Sequence, residues 1–242
     1  MTTRQQIATT QLRELVLSGE FAPGDWLREQ TVSERLGTSR TPARIALQIL
    51  EQEGLLQFHP NRGFCVEQFT LQQISDAVDL RGVLEGLACE LVARSGLSGK
   101  VTGKLGICVE KGRKIVESGS FGPEDADNWA VLNREFHQLI VDASNNEALI
   151  STLAFNDRIP LASAGSIFFY SQHFDLAIPM LRESQRDHED ILEAIVARDS
   201  GRVGHLMREH ARSSRNNKIH FLRDIKSDKI LDSIPGSKLV VH

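Results

Sequence analysis

Cysteine is scarce in this chain. Cys65, Cys89 and Cys108 are odd in number, far apart and in no CxxC pair, so neither a disulfide framework nor a cysteine metal site is indicated. Nowhere does an apolar run approach the roughly 18 residues that would suggest a membrane span. Met1 to Ala8 carries no apolar signal core, so a cytoplasmic protein without membrane contact is expected. Internal repeats, low-complexity segments and the HExxH pattern of zinc hydrolases are all missing. A global basic surplus is missing too, since the formal net charge is −4. What remains is globular composition. The 242 residues, 40% hydrophobic and 25% charged, suffice for one large domain or for a small domain joined to a larger one.

Charge is unevenly spread, however. Between Arg35 and Leu50 lie Arg35, Arg40 and Arg44 and no acid, a local basic edge compatible with DNA. Ile7, Leu12, Leu15 and Val16 suggest a first helix ending near Gly19. After the Pro23-Gly24 turn, Val32 and Leu36 mark a short helix over about Glu29 to Leu36, which Gly37 ends. Ser39 or Thr41 can cap the next helix, and Pro42 is acceptable in a first turn, where backbone N–H groups lack intrahelical partners. Ile45, Leu47, Ile49 and Leu50 give that helix an apolar half ending near Gly54. Two strand-like runs follow, Leu55–Phe58 and Phe64–Gln68, joined by His59-Pro60-Asn61-Arg62-Gly63. Three helices and a hairpin in this order make a winged helix-turn-helix. Arg40 and Arg44, four residues apart, share a face with Thr41 beside them at the head of the second helix of the motif. Such residues reach base edges and phosphates in the major groove. The competing reading, ordinary capping and solvated surface, is weakened by the short preceding helix, the glycine turn and the hairpin.

The stretch "FAPGDWLREQTVSERLGTSRTPARIALQILEQEGLLQFHPNRGFCV" resembles the DNA-binding domain of GntR-family bacterial repressors over about Gln11 to Phe69, with "SRTP.R..L..LE.EGL" and the wing "NRG" as its specific parts. The resemblance implies DNA contacts from Ser39, Arg40, Thr41 and Arg44, from Arg28 near the backbone, and from Asn61, Arg62 and Gly63 in the wing. It departs at Ile45, where the family usually has Glu.

From Leu71 onward the pattern is helical. Runs over Leu71 to Ala93, Val101 to Val116 (weakened by Gly103, Gly106 and Gly112), Asp125 to Ala143, Met180 to Ala197 and Arg202 to Phe221 are joined by a less regular stretch, Glu147 to Tyr170, interrupted by Pro160. The expected fold is therefore mainly α: a winged helix-turn-helix over 1–69, an all-helical bundle of six or seven helices over 70–225, and a polar C-terminal tail over 226–242 with an apolar end.

Histidines stand at telling positions in this half. His137 follows Asn133 by four residues, so both point from one helix face. His188 and His210 lie eleven residues on either side of Asp199. If Arg198–Gly201 turns between antiparallel helices, both sit about 16 Å from the turn, at 1.5 Å per residue. Three helices can then deliver Asn133, His137, His188 and His210 to one point, with imidazoles suited to Zn²⁺, Ni²⁺ or another first-row divalent ion. Isolated histidines on helices are more often surface or satisfied core residues. Residues from about Ser75 to Arg215 also resemble the FCD effector-binding domain of FadR-type GntR regulators. Its metal-binding members carry an Asp and three His as "D..FH", "H..I..AI" and "M..H"; His137, His188 and His210 match, while Asn133 stands where the Asp belongs.

Arg81 is a cation in an otherwise apolar helix, with Glu85 at i+4. It either pairs with Glu85 or holds an effector carboxylate, for which the guanidinium fork is well shaped. FCD domains carry Arg and Glu here, and their effectors are commonly small organic acids. The leading expectation is a ligand-responsive regulator, by family habit a repressor, binding palindromic double-stranded DNA as a homodimer. A constitutive DNA-binding protein with a vestigial metal site and a metal-dependent hydrolase are the alternatives. No carboxylate is placed by spacing as a general base, which counts against the hydrolase.

Overall fold

The computed structural model describes residues 3–118, 121–164, 174–224 and 236–241. The chain divides into two compact units. One runs through Ile74 and takes in Arg158–Leu161 and the C-terminal residues 236–241; the other comprises Ser75–Asp157 and the chain from Ala162 through the last helix.

In the first unit, α1 (Arg4–Leu17) and α2 (Glu29–Arg35) pack on α3 (Arg40–Gln52). Thr3 starts α1 with a reciprocal capping box to Gln6. Of the apolar positions anticipated from spacing, Leu12 and Val16 on α1, Val32 on α2 and Leu47 and Leu50 on α3 are buried, Leu15, Leu36, Ile45 and Ile49 are half-buried and Ile7 is exposed, while Ala43 and Ala46, not anticipated, complete the buried face of α3. Arg13 on α1 grips Glu53, just past α3, with two hydrogen bonds of 2.9 and 2.6 Å. Ser39 occupies the N-cap of α3, yet its hydroxyl makes no capping hydrogen bond, and Pro42 sits in the first turn as expected.

The hairpin forms as β2 (Leu56–His59) and β3 (Gly63–Val66), in register from Leu56 opposite Val66 to His59 opposite Gly63. A third strand, β1 (Trp26–Leu27), pairs with the far side of β3 and makes the sheet order β1-β3-β2. Two residues are too short a run for period-two patterning, so that strand was not legible in the sequence. Asn61 and Gly63 both have positive φ, at 67° and 100°. A Cβ on Gly63 would lie 2.7 Å from the Leu27 carbonyl oxygen, so glycine is required there on two counts.

In the second unit six helices are described: α4 (Leu71–Ser95, which enters it at Ser75), α5 (Gly99–Glu117), α6 (Pro123–Ala143), α7 (Glu147–Asn156), α8 (Phe174–Val196) and α9 (Ser200–Asp224). Their core gathers Cys89, Val92, Leu105, Phe136, Ile140, Ile191, Val203 and Met207. The glycines of α5 do not interrupt it. Helix α8 starts before the expected Met180 and absorbs Pro179, losing one backbone hydrogen bond rather than ending there. Helices α4 and α9 approach closely: a Cβ on Gly82 would stand 2.6 Å from that of Ala211. Residues 165–170 of the irregular stretch lie outside the described residues.

The proposed tail, 226–242, is described only at 236–241, and there it is not loose. Ser237–Leu239 form a 3₁₀ turn, and β5 (Val240–Val241) pairs in parallel with β4 (Phe69–Thr70). The Gly236 N–H donates to the Leu17 carbonyl at 3.3 Å, and Leu239 is fully buried. The apolar end seen in the sequence is thus a packing element of the first unit. Leu239→Ala is expected to destabilise that unit by about 2–5 kcal/mol, the usual cost of truncating a buried leucine. Urea unfolding followed by tryptophan fluorescence measures it; a change below about 0.5 kcal/mol would show that the segment contributes nothing.

Candidate functional site

Two constellations stand out, one in each unit. In the first unit, Ser39, Arg40, Thr41 and Arg44 are all exposed at the start of α3, while Pro42, Ala43, Ala46 and Leu47 face inward. Gln48, one turn beyond Arg44, is exposed as well. Arg28 stands exposed at the N-cap of α2. Asn61 and Arg62 are exposed at the wing tip, and Gly63 opens β3. Trp26, on β1, stands beside the wing. The structure puts its ring 5.4 Å from the Arg62 guanidinium carbon and 5.1 Å, edge-on, from the His59 ring. A cation over an indole face is worth about 0.5–1 kcal/mol at an exposed site. Trp26 therefore restrains the wing arginine from β1, the strand that the sequence did not reveal.

In the second unit, α6, α8 and α9 bring His137, His188 and His210 together. All three are buried, with ring centroids 4.9 to 5.3 Å apart. Each can offer one ring nitrogen such that all lie within 4.8 Å of one another. A tetrahedral ion with 2.0–2.1 Å bonds sets donor spacings near roughly 3.3 Å, so closing on an ion draws the imidazoles inward. His188 is stacked between Trp129 and Phe136, at 5.9 and 4.3 Å, and its Nε2 is buried without a hydrogen-bond partner. His210 Nδ1 lies 3.0 Å from Asp187 Oδ2, a contact that orients the ring and leaves Nε2 for another partner. Burial pushes the His188 pKa well down, with His210 and His137 adding to it; burial also lowers His210 despite the Asp187 contact. Both rings are thereby held in the neutral form that coordinates metal.

Asn133 lies beside them, buried. Its Nδ2 donates to the Ala164 carbonyl, and its Oδ1 has no hydrogen-bond partner. Arg81, 2% exposed, donates from Nη1 to the Ala162 carbonyl at 2.8 Å and has its Nε 3.7 Å from Glu85 Oε2. The same Glu85 oxygen is 3.1 Å from His137 Nδ1. Burial alone would raise the Glu85 pKa, but the charges of His137 and Arg81 outweigh it and hold the carboxyl at about 2. Both sequence readings of Arg81 are thus present at once: it pairs with Glu85 and it lines a cavity.

That cavity is about 80 Å³, several times the roughly 10–15 Å³ that one water needs. Arg81, Asn133, His137 and His210 line it, whereas His188 stands behind the wall. Glu85, seen in sequence only as a partner for Arg81, is the hinge of the buried charge network. Lys218 was missed altogether. It lies buried on the cavity wall, with Nζ donating to the Ser163 carbonyl at 3.2 Å. Its spacing from His210 was visible on α9, but nothing in the sequence marks which of that helix's cations turns inward.

A winged helix with exposed arginines heading its second motif helix, joined to a helical unit with a cavity that Arg81, His137 and Lys218 line, points to a DNA-binding transcriptional regulator rather than an enzyme. The family comparison bears this out. Residues 3–66 match the gntR family of bacterial regulatory proteins, and residues 76–213 match the FCD domain. The chain belongs to the GntR family, with an FCD domain as its helical unit. It is 31% identical over 182 residues to the uncharacterized HTH-type transcriptional regulator YdhC of Bacillus subtilis, covering 75% of this chain and 77% of that protein. It is 26% identical over 202 residues to the HTH-type transcriptional repressor GlaR of Escherichia coli, covering 82% and 88%. The solved structure of E. coli McbR/YncC superposes with a TM-score of 0.61 at 23% identity, covering 92% of this chain and 99% of that one, a likeness of fold. Among the described residues no helix is long and apolar enough to cross a membrane.

The Arg81–Glu85 pair generates a stability prediction. Glu85→Ala leaves the guanidinium buried without its carboxylate and is expected to cost about 3–5 kcal/mol. Thermal and denaturant unfolding of the variant reads this; an unfolding midpoint equal to that of the parent would mean that solvent already reaches Arg81.

Proposed function

We propose that this protein is a homodimeric repressor of palindromic operators whose helical unit binds a small organic acid together with a divalent ion. The observation that carries the reading is the gathering of three buried imidazoles, two of which line one cavity with Asn133, whose amide oxygen is unpartnered, and with the buried Arg81 guanidinium. The donor set fits a metal: two of the imidazoles are held neutral by burial, and buried polar atoms without partners normally call for an explanation. His137, His188 and His210 would hold the ion, with Asn133 as the fourth ligand. Zn²⁺ or Ni²⁺ suits imidazole, and the bound ion would supply a positive centre for an effector carboxylate. Arg81 would take the same acid from α4. The exposed apolar row Leu80, Val83 and Leu87 on α4, each 39–54% exposed, supports pairing with a second copy. Operator binding places the protein in the cytoplasm.

On DNA, Arg40 and Arg44 would read bases, with Ser39, Thr41 and Arg28 holding phosphates and Asn61, Arg62 and Gly63 forming the wing contact. Arg40→Ala and Arg44→Ala are each expected to weaken operator binding by about 1–3 kcal/mol and to relax sequence preference. Arg62→Ala is expected to lose affinity evenly across sequences, and Trp26→Ala to produce part of the same loss, with the double variant less than additive. Gel shifts on operator and scrambled DNA test all four; unchanged affinity in both recognition-helix variants sinks the assignment.

The neutral fourth position has its own consequence. Three imidazoles and an amide put no negative charge on the ion directly, with Glu85 and Asp187 acting only through His137 and His210, so Asn133→Asp is expected to raise metal affinity by at least about tenfold. It should also weaken the ion's help to an anionic effector. Metal analysis and titration calorimetry on both proteins check this. Absence of a divalent ion from both would favour a constitutive DNA-binding protein with a vestigial site.

A further inference from the structure

Three side chains on three helices share one unusual set of partners. Arg81 on α4 donates to the Ala162 carbonyl, Lys218 on α9 to Ser163, and Asn133 on α6 to Ala164. Three consecutive main-chain oxygens thus serve donors that all line the cavity. The chain reaches these residues through Leu161, whose φ of 70° is a costly backbone conformation for a leucine. A carbonyl is a neutral acceptor. A carboxylate oxygen would bring a buried guanidinium or ammonium an opposite charge as well as an acceptor.

On α9 the cavity wall is formed by His210, Ser213, Ser214, Asn217 and Lys218. Their spacing, i, i+3, i+4, i+7 and i+8, places them on one face. Lys218 is eight residues beyond His210, about 12 Å along the axis at 1.5 Å per residue, less what the lysine recovers by leaning back toward the N-terminus. Between a histidine at one end and an ammonium at the other, the wall offers two hydroxyls and an amide. Burial drives the Lys218 pKa well below its ordinary value, with Arg81 adding to the effect and the Asp157 and Glu85 carboxylates opposing it, so an anion arriving there gains a cation that the protein alone disfavours.

We propose that Lys218 forms an anion subsite on the cavity wall, displaced along α9 from His210 and completed by Arg81, and that the effector is a short hydroxylated dicarboxylic acid. One carboxylate faces the histidine end and the other replaces the main-chain carbonyls of Ala162 and Ser163 as the acceptor for Arg81 and Lys218. The hydroxyls lie against Ser213, Ser214 and Asn217. This rests on the organic-acid reading above and narrows it from any small acid to one with two acidic ends.

Calorimetry on the full-length protein, with and without added Zn²⁺ or Ni²⁺, against butyrate, succinate, malate and glucarate provides the test. The parent protein is expected to bind succinate at least about tenfold more tightly than butyrate, the worth of one charge-assisted hydrogen bond, and the hydroxylated diacids more tightly still. Lys218→Gln should remove the diacid preference while leaving butyrate affinity and metal content unchanged, and Lys218→Arg should retain it. The comparison of acids in the parent protein needs no variant and so survives a folding defect in either. Equal affinity for butyrate and the diacids, or a full diacid preference in a folded Lys218→Gln protein, overturns the subsite. A Lys218-dependent diacid preference in a protein that holds no metal keeps the subsite and removes only the metal. Metal-dependent binding of butyrate alone keeps the broader reading and overturns this one.

Discussion

The helical unit is organised around the cost of burying Arg81. A guanidinium that is 2% exposed must be compensated by the protein itself. Glu85, one turn along α4, supplies the opposite charge and is in turn held ionised by His137 and Arg81. His137 is thereby tied to α4 from its own helix, α6; His210 stacks on it, while His188 meets it edge-on and stacks on Phe136 and Trp129. The main-chain carbonyl of Ala162 completes the guanidinium's partners. The proposed ligand site and the solution to a burial problem are the same set of side chains. Asn133 Oδ1 and His188 Nε2, among the buried polar atoms without hydrogen-bond partners, belong to residues proposed to hold an ion.

The DNA-binding unit obeys a different constraint. Its second motif helix must be apolar on one side and charged on the other, and its first turn must be free of capping bonds that would engage the hydroxyls. Ser39 meets this by holding the N-cap backbone conformation, with ψ of 164°, without donating its side chain to the task. The wing meets a geometric requirement instead: Gly63 clears the Leu27 carbonyl, and Trp26 braces Arg62 from the neighbouring strand. Packing of α1 and α2 on α3, reinforced by the Arg13–Glu53 fork, makes a rigid base for these exposed residues.

Much of this was legible before any coordinates. Three-helix-plus-hairpin order, most apolar positions of α1 to α3, a second unit of six or seven helices and the matching heights of His188 and His210 follow from periodicity and spacing, because a helix repeats every 3.6 residues and a side chain's face is set by its position along that repeat; that His137 joins them is what the family resemblance implied. Equal distances of His188 and His210 from a turn translate directly into equal heights on adjacent helices. Asn133 four residues before His137 required nothing further.

Other features depended on approaches between residues distant in the chain. The pairing of β5 with β4 joins residues 240–241 to 69–70, and two-residue strands carry no periodic signal. The inward turn of Lys218, but not of its neighbour Arg215, which instead pairs with Asp79, reflects a few tens of degrees around α9 and the position of the Ser163 carbonyl. Trp26 meets Arg62 only because β1 adds to the hairpin. Local spacing determined which faces exist and what they carry, since it acts within a few residues through fixed helical geometry. Tertiary structure alone decided which of those faces meet, because that choice is made by packing and by the need to satisfy each buried charge with a partner from elsewhere in the chain.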